Sequence, residues 1–211
     1  MFDRRGFLLA TGTFVSVTTL SSTRYAFAVD LAGDAERFVQ GMADKAIIEL
    51  TDPDIDRAER KVRMRSLMRD YFFVPGIAQW VLGRFWRKAT EAEQEEFLQL
   101  FEDLLVETYV DRFATYSGET LLITKSDVRS GKDVIVSSSL DLPEATKKIK
   151  LDWRVRAQGD AYKIIDIMVE GVSMGQSQRA QFASAIKNNN NDMAKFLDEL
   201  RSRVSIADSG T

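Results

Sequence analysis

The chain has 211 residues, with 29 Lys and Arg against 32 Asp and Glu, 45% apolar residues, and neither cysteine nor histidine. The two absences remove disulfides, thiol nucleophiles, imidazole bases, Ser-His-Asp triads and the usual nitrogen/sulfur zinc sites. A net charge of −3 leaves no electrostatic footprint for nucleic acid, and 10% aromatic residues exclude a disordered composition. Carboxylate, Lys, Tyr and Ser-Lys chemistry stays available.

Residues 1–28 read as an export signal. Arg4-Arg5 supplies the positive start, Phe7 to Leu20 a short apolar stretch diluted by Thr, Ser and Gly, and Ala26-Phe27-Ala28 the small-x-small cleavage pattern. The stretch is too short and too polar for a spanning helix. Asp3-Arg4-Arg5-Gly6-Phe7-Leu8-Leu9 resembles a twin-arginine signal, with a general secretory leader as the other reading. Removing residues 1–28, which hold three basic residues and one acidic residue, leaves 183 residues carrying −5. The expected product is exported to the periplasm, with one domain over 29–205 and a polar tail over 206–211.

The chain then reads as helices first, strands second and helices last. Apolar spacing predicts a helix from Asp34 to Leu50, then one from Asp54 to Tyr71 carrying a dense basic set from Arg57 to Arg69. That set suits either lipid phosphates or a solvated face. A short helix from Gly76 to Trp86 is apolar nearly all round, with Trp80, Val81, Phe85 and Trp86, so it is buried or meets an apolar ligand. Thr90 and Glu93 form a capping box for a long helix to about Tyr116, whose apolar positions include Phe97, Phe101, Leu105, Tyr109 and Phe113.

After Ser117-Gly118 the period changes to two. Strands are expected at Thr120 to Val128, Asp133 to Leu140, Lys147 to Ala157 and Ala161 to Val172, joined by hairpin-length turns. In the third, Ile149, Leu151, Trp153 and Val155 face one way and Lys148, Lys150, Asp152, Arg154 and Arg156 the other. That charged face suits partner docking or simple exposure. In the fourth, Ile165, Ile167 and Val169 are assigned to one face and Tyr162, Ile164 and Met168 to its opposite. A helix from Gly175 to Lys187, an Asn188–Asn191 turn and a closing helix through Phe196 and Leu200 complete the reading. The class is α+β, a four-stranded antiparallel sheet with helices against one side.

The run Ile77-Ala78-Gln79-Trp80-Val81-Leu82-Gly83-Arg84-Phe85-Trp86-Arg87 and the string Asp166-Ile167-Met168-Val169-Glu170-Gly171-Val172-Ser173 carry a family resemblance. With Phe97, Phe101, Leu104, Leu105, Tyr109 and Tyr116-Ser117-Gly118-Glu119 between them, the chain resembles the MlaC family of periplasmic phospholipid-binding, or toluene-tolerance auxiliary, proteins. Tyr162 stands where a Trp is expected, and the Asn run replaces a Gly-containing turn.

The resemblance implies an NTF2-like curved sheet with an additional helical part and a deep apolar cavity. It implies phospholipid as ligand, and as partners an outer-membrane lipoprotein complex and an inner-membrane ABC lipid transporter with its substrate-domain protein. No cofactor, metal, nucleic acid or catalytic activity is implied. The expected lipid-lining residues are Trp80, Val81, Phe85, Phe101, Leu105, Tyr109, Leu151, Trp153, Val155 and Ile167. A hopanoid or other apolar cargo is the narrower alternative. An enzyme on the same fold using Asp166, Glu170 or Tyr109 is the alternative of a different class, and a ligand-free interaction module with a fully packed interior is a third.

Overall fold

Side-chain caps set where the helices begin. Asp30 accepts from the Gly33 amide to open α1 (Leu31–Leu50), and Asp56 accepts from the Glu59 amide to open α2 (Arg57–Tyr71). Pro75 lies in the first turn of α3 (Val74–Leu82), where its missing N–H costs no helical bond. The expected Thr90–Glu93 capping box opens α4 (Glu91–Ala114), and Ser173 accepts from the Gln176 amide to open α5 (Met174–Asn188). The last helix, α6, is Met193–Asp208. The computed structural model describes residues 30–143, 148–159 and 161–208. The expected leader at 1–28, Lys147 and the end of the tail lie outside these residues.

Five antiparallel strands follow one another in order: β1 (Thr120–Val128), β2 (Asp133–Asp141), β3 (Ile149–Gln158), β4 (Ala161–Val169) and β5 (Val172–Ser173). The expectation of four strands needs correction at Glu170-Gly171. Both residues take positive φ, 50° and 82°, so the chain reverses after Val169 and Val172 pairs back on it. Left-handed values at both central residues are what a tight hairpin turn requires.

The facing of β4 also needs correction. Arg154 pairs with Asp166 but Val155 pairs with Ile164, which leaves Ile165 as an extra residue in a β-bulge. Ile164 and Ile167 therefore share the inner face with Val155 and Trp153, although strict alternation would separate them. Ile164 is fully buried, while Lys163 and Asp166 pair with Arg156 and Arg154 on the outer face.

The helix expected over Gly76 to Trp86 is two pieces. Gly83 takes φ 59°, and Gly83–Lys88 continue as a 3₁₀ turn. At the other end of the chain α6 runs to Asp208, so residues 206–208 of the expected tail are helical.

The basic set on α2 neither faces solvent unpaired nor stands free for phosphates. Arg57 donates to Glu107 at 2.8 Å and Asp111 at 2.9 Å, and Lys61 also pairs with Glu107. Arg65 reaches Glu102 at 2.9 Å and Asp103 at 2.7 Å. These pairs lace α2 to α4, while Asp208 brings the end of α6 to Arg57 and Lys61. Buried Arg60 instead donates to the Leu50 and Ile55 carbonyls, satisfying the end of α1 and the α1–α2 connection. Outside the sheet, Arg154 and Arg156 both close on Asp133, each at 2.7 Å. Hydrogen bonds from Arg156 and then Arg154 hold the Asp133 carboxyl down at about 2.

One continuous apolar core results, with two parts of different coverage. α4, α5 and α6 enclose Phe97, Phe101, Phe182 and Phe196, all at most 2% exposed, with ring centroids 5.3–6.3 Å apart. The other lies on the inner face of the sheet, where α1 packs over β1 and β2 and α2 and α3 approach β4.

Candidate functional site

The inner face of β2, β3 and β4 divides into two halves. At one end Val134, Val136, Val155 and Ile164 are all 0% exposed and Ala157 is 4% exposed. Towards the other end Leu140, Ile149, Leu151, Ile167 and Val169 are only half-buried, and Val172 is 55% exposed. Register places these residues beside one another, with Leu140 opposite Ile149, Leu151 opposite Val169 and Trp153 opposite Ile167. In this open half only aliphatic side chains, Trp153 and Ser138 occupy the surface. Large apolar groups in a half-covered sheet face leave transfer free energy unrealised at about 25 cal/mol per Å², which an apolar ligand would recover.

Trp153 stands at the boundary. It is 8% exposed, and its indole Nε1–H donates to Ser138 Oγ at 2.9 Å. Ser138, 2% exposed, donates in turn to the Leu151 carbonyl at 3.1 Å. Ser138 is paired with Leu151, two residues nearer the open end, so the indole leans along the sheet in that direction. Both polar groups are satisfied by each other and the backbone, and the wall stays apolar towards a ligand.

The remaining expected lining residues fall in several places. Leu151 and Ile167 lie in the open half, Val155 lies beyond Trp153 in the closed half. Val81 and Phe85 are buried in the core at 1% and 4% exposure, and Phe101 is one of the four clustered rings. Half-buried Leu105 belongs to the same apolar cluster as Leu121, Ile123 and Leu151. Tyr109 is 36% exposed, beside the Arg112 guanidinium. Trp80 is half-buried, and a Cβ on Gly175 would lie 2.0 Å from its ring, so these two groups meet in close contact. Leu140, Ile149, Val169 and Ser138 are candidate positions absent from the expected lining, and Ser138 is the least legible of them. Its only signal is a hydroxyl at an inner-face position among valines.

Asp166 and Glu170 do structural work. Asp166 accepts from Ser173 Oγ at 2.6 Å and from the Gly175 amide at 3.1 Å, next to the first turn of α5. Glu170 accepts from the Lys150 amide at 2.8 Å. The string from Asp166 to Ser173 is thus a strand, a left-handed turn and a helix cap held by one carboxylate. The Leu82-Gly83 string serves the same helix, for Arg179 of α5 donates to the Trp80 carbonyl and lies against Gly83.

Among the described residues no group of three His, Cys, Asp or Glu could hold a metal ion, and no helix is long and apolar enough to cross a membrane. A separate cleft of about 390 Å³ between α1 and α2 is lined by Lys45, Glu49, Val62, Arg63 and Ser66. Its charged rim does not suit acyl chains.

Fold and site together define an α+β protein with a half-covered apolar sheet face continuous with a closed helical core. The chain belongs to the MlaC family, whose model, described as MlaC protein, matches residues 40–202. It is 23% identical over 133 residues to the toluene tolerance protein ttg2D of Pseudomonas putida, an alignment covering 63% of this chain and 61% of that relative's length. Among solved structures it resembles a phospholipid-binding protein of Ralstonia solanacearum determined in complex with a phospholipid. That match has a TM-score of 0.71 and 23% identity, and covers 82% of this chain and 98% of the other.

Proposed function

We propose that this protein is a periplasmic lipid carrier of NTF2-like architecture, which takes the acyl chains of a phospholipid against the open half of its sheet. It carries that lipid between an outer-membrane lipoprotein complex and an inner-membrane ABC transporter with its substrate-domain protein, without covalent chemistry. The observation that carries this reading is the row Leu140, Ile149, Leu151, Ile167 and Val169, apolar, contiguous and half-covered. Family membership and the phospholipid-bound structural relative support the choice of ligand.

The energetics favour a carrier over release. Each methylene exposed to water costs ~0.8 kcal/mol, so a two-chain lipid of about thirty methylenes costs more than ~20 kcal/mol to free. Transfer must therefore run from one apolar surface to another, through opening of the sheet–helix seam at a docked partner.

Native mass spectrometry of protein purified from its own periplasm tests the reading. Near-stoichiometric phospholipid is expected. A protein always empty of lipid, even after incubation with phospholipid vesicles, overturns it, whereas a bound polycyclic lipid keeps the carrier and changes its cargo.

A further inference from the structure

Resting on the carrier reading, we infer that Trp153, fixed by Ser138, is the floor of the lipid site and sets the length of acyl chain it accepts. Three observations converge on this position. Exposure along β3 falls from half-buried at Leu151 to 8% at Trp153 and 0% at Val155, and on β4 from half-buried Ile167 to 0% at Ile164, while on β2 the buried stretch extends one pair further, to Ser138 at 2%. The indole is the bulkiest side chain on this part of the inner face, and it stands on the central strand β3, opposite Val136 of β2 and Ile167 of β4. Its orientation is fixed, because Nε1–H has one buried acceptor in Ser138 Oγ, which is itself anchored on the Leu151 carbonyl. A satisfied buried hydrogen bond of this kind specifies one rotamer over others.

A fixed floor makes the site a ruler. A chain end that fits above Trp153 gains burial for every methylene, whereas a longer chain must leave its excess at the mouth. The step between successive inner-face residues is ~7 Å, so removing the floor admits a few methylenes more. Two additional methylenes at ~0.8 kcal/mol each correspond to roughly tenfold in preference.

The test offers purified protein vesicles of phosphatidylcholines graded in chain length and reads the captured lipid by mass spectrometry. Wild type should capture a narrow band of chain lengths. Trp153→Leu should shift that band upward by about two methylenes, with roughly tenfold enrichment of the longer species. Ser138→Ala, which removes one oxygen and is the milder change should Trp153→Leu not fold, should broaden the band. Val155→Ala should leave it unchanged alone and extend it further when combined with Trp153→Leu, because Trp153 shields that position. A merely structural Trp153 would alter melting temperature without moving the band. Lipid captured by all variants with one unchanged distribution overturns the ruler and leaves the carrier intact. No lipid captured by wild type overturns the carrier and the ruler together.

Discussion

The molecule contains two apolar regions of different character. The rings of Phe97, Phe101, Phe182 and Phe196 close on one another between three helices, with no exposure above 2%. The open half of the sheet, with Leu151 and Ile167, has equally apolar residues that pack against the core but stay only partly buried. Both regions are apolar, rings in one and mainly aliphatic side chains in the other. Coverage separates core from site, and coverage is decided by which helices pack where.

Substitutions distinguish the two regions by what they change. Phe182→Ala in the ring cluster should cost about 3–5 kcal/mol in chemical denaturation, with the chain length of captured lipid unaltered. Glu107→Gln comes next. This carboxylate is 3% exposed and paired with Arg57 and Lys61, and its neutralisation should cost about 2–3 kcal/mol, since both cations retain other acidic partners.

Asp133→Asn should cost about 1–2 kcal/mol at neutral pH, discounted because Arg154 and Arg156 are 44% and 41% exposed. The Asp133 carboxyl is held at about 2, below its ordinary 3.8, by hydrogen bonds from Arg156 and Arg154. Its contribution is therefore complete above the ordinary value and lost as pH falls through about 2. Denaturation curves of wild type and variant should converge across that window. Constant separation down to the lowest pH would contradict the pairing.

Leu151→Ala in the open half should have a comparably small effect on the ligand-free protein, about 1–2 kcal/mol, because the side chain is only partly buried. Its effect should instead be on lipid: weaker retention, read as faster loss to acceptor vesicles. A stability cost equal to that of Phe182→Ala would place Leu151 in a closed core.

Much of the scaffold was legible because it is local. The Thr90–Glu93 capping box, the Pro75 helix start and the change of period after Gly118 each act within a few residues, and the first strand matched residue for residue. The Asn run also behaves as its chemistry allows, with Asn190 and Asn191 at positive φ. What failed was long-range or depended on one residue of register. The bulge at Ile165 moves Ile164 onto the inner face, and nothing in an alternating string announces an extra residue. Apart from Glu59, which takes Arg63 at i,i+4, the acids that take up the basic set on α2 lie on α4 and at the end of α6, beyond any local pattern.

The family strings were informative about architecture more than about the site. Asp166, Glu170, Gly171 and Ser173 build the β4–β5 turn and the start of α5, while Gly83 admits Arg179. The apolar lining carries no such string, since any aliphatic residue of suitable size serves there. Candidate site residues were consequently spread over core, surface and open sheet alike, and only burial along each strand sorts them.

The central claim is that the ligand lies on the open half of the sheet and not within the helical core. Photo-crosslinking with a phosphatidylcholine bearing a diazirine at the end of one acyl chain, followed by peptide mapping, addresses it directly. Labels on β3 and β4 around Leu151, Trp153 and Ile167 are predicted. Labels concentrated at Phe97, Phe182 and Phe196, or scattered over the outer charged face of the sheet, would contradict the account.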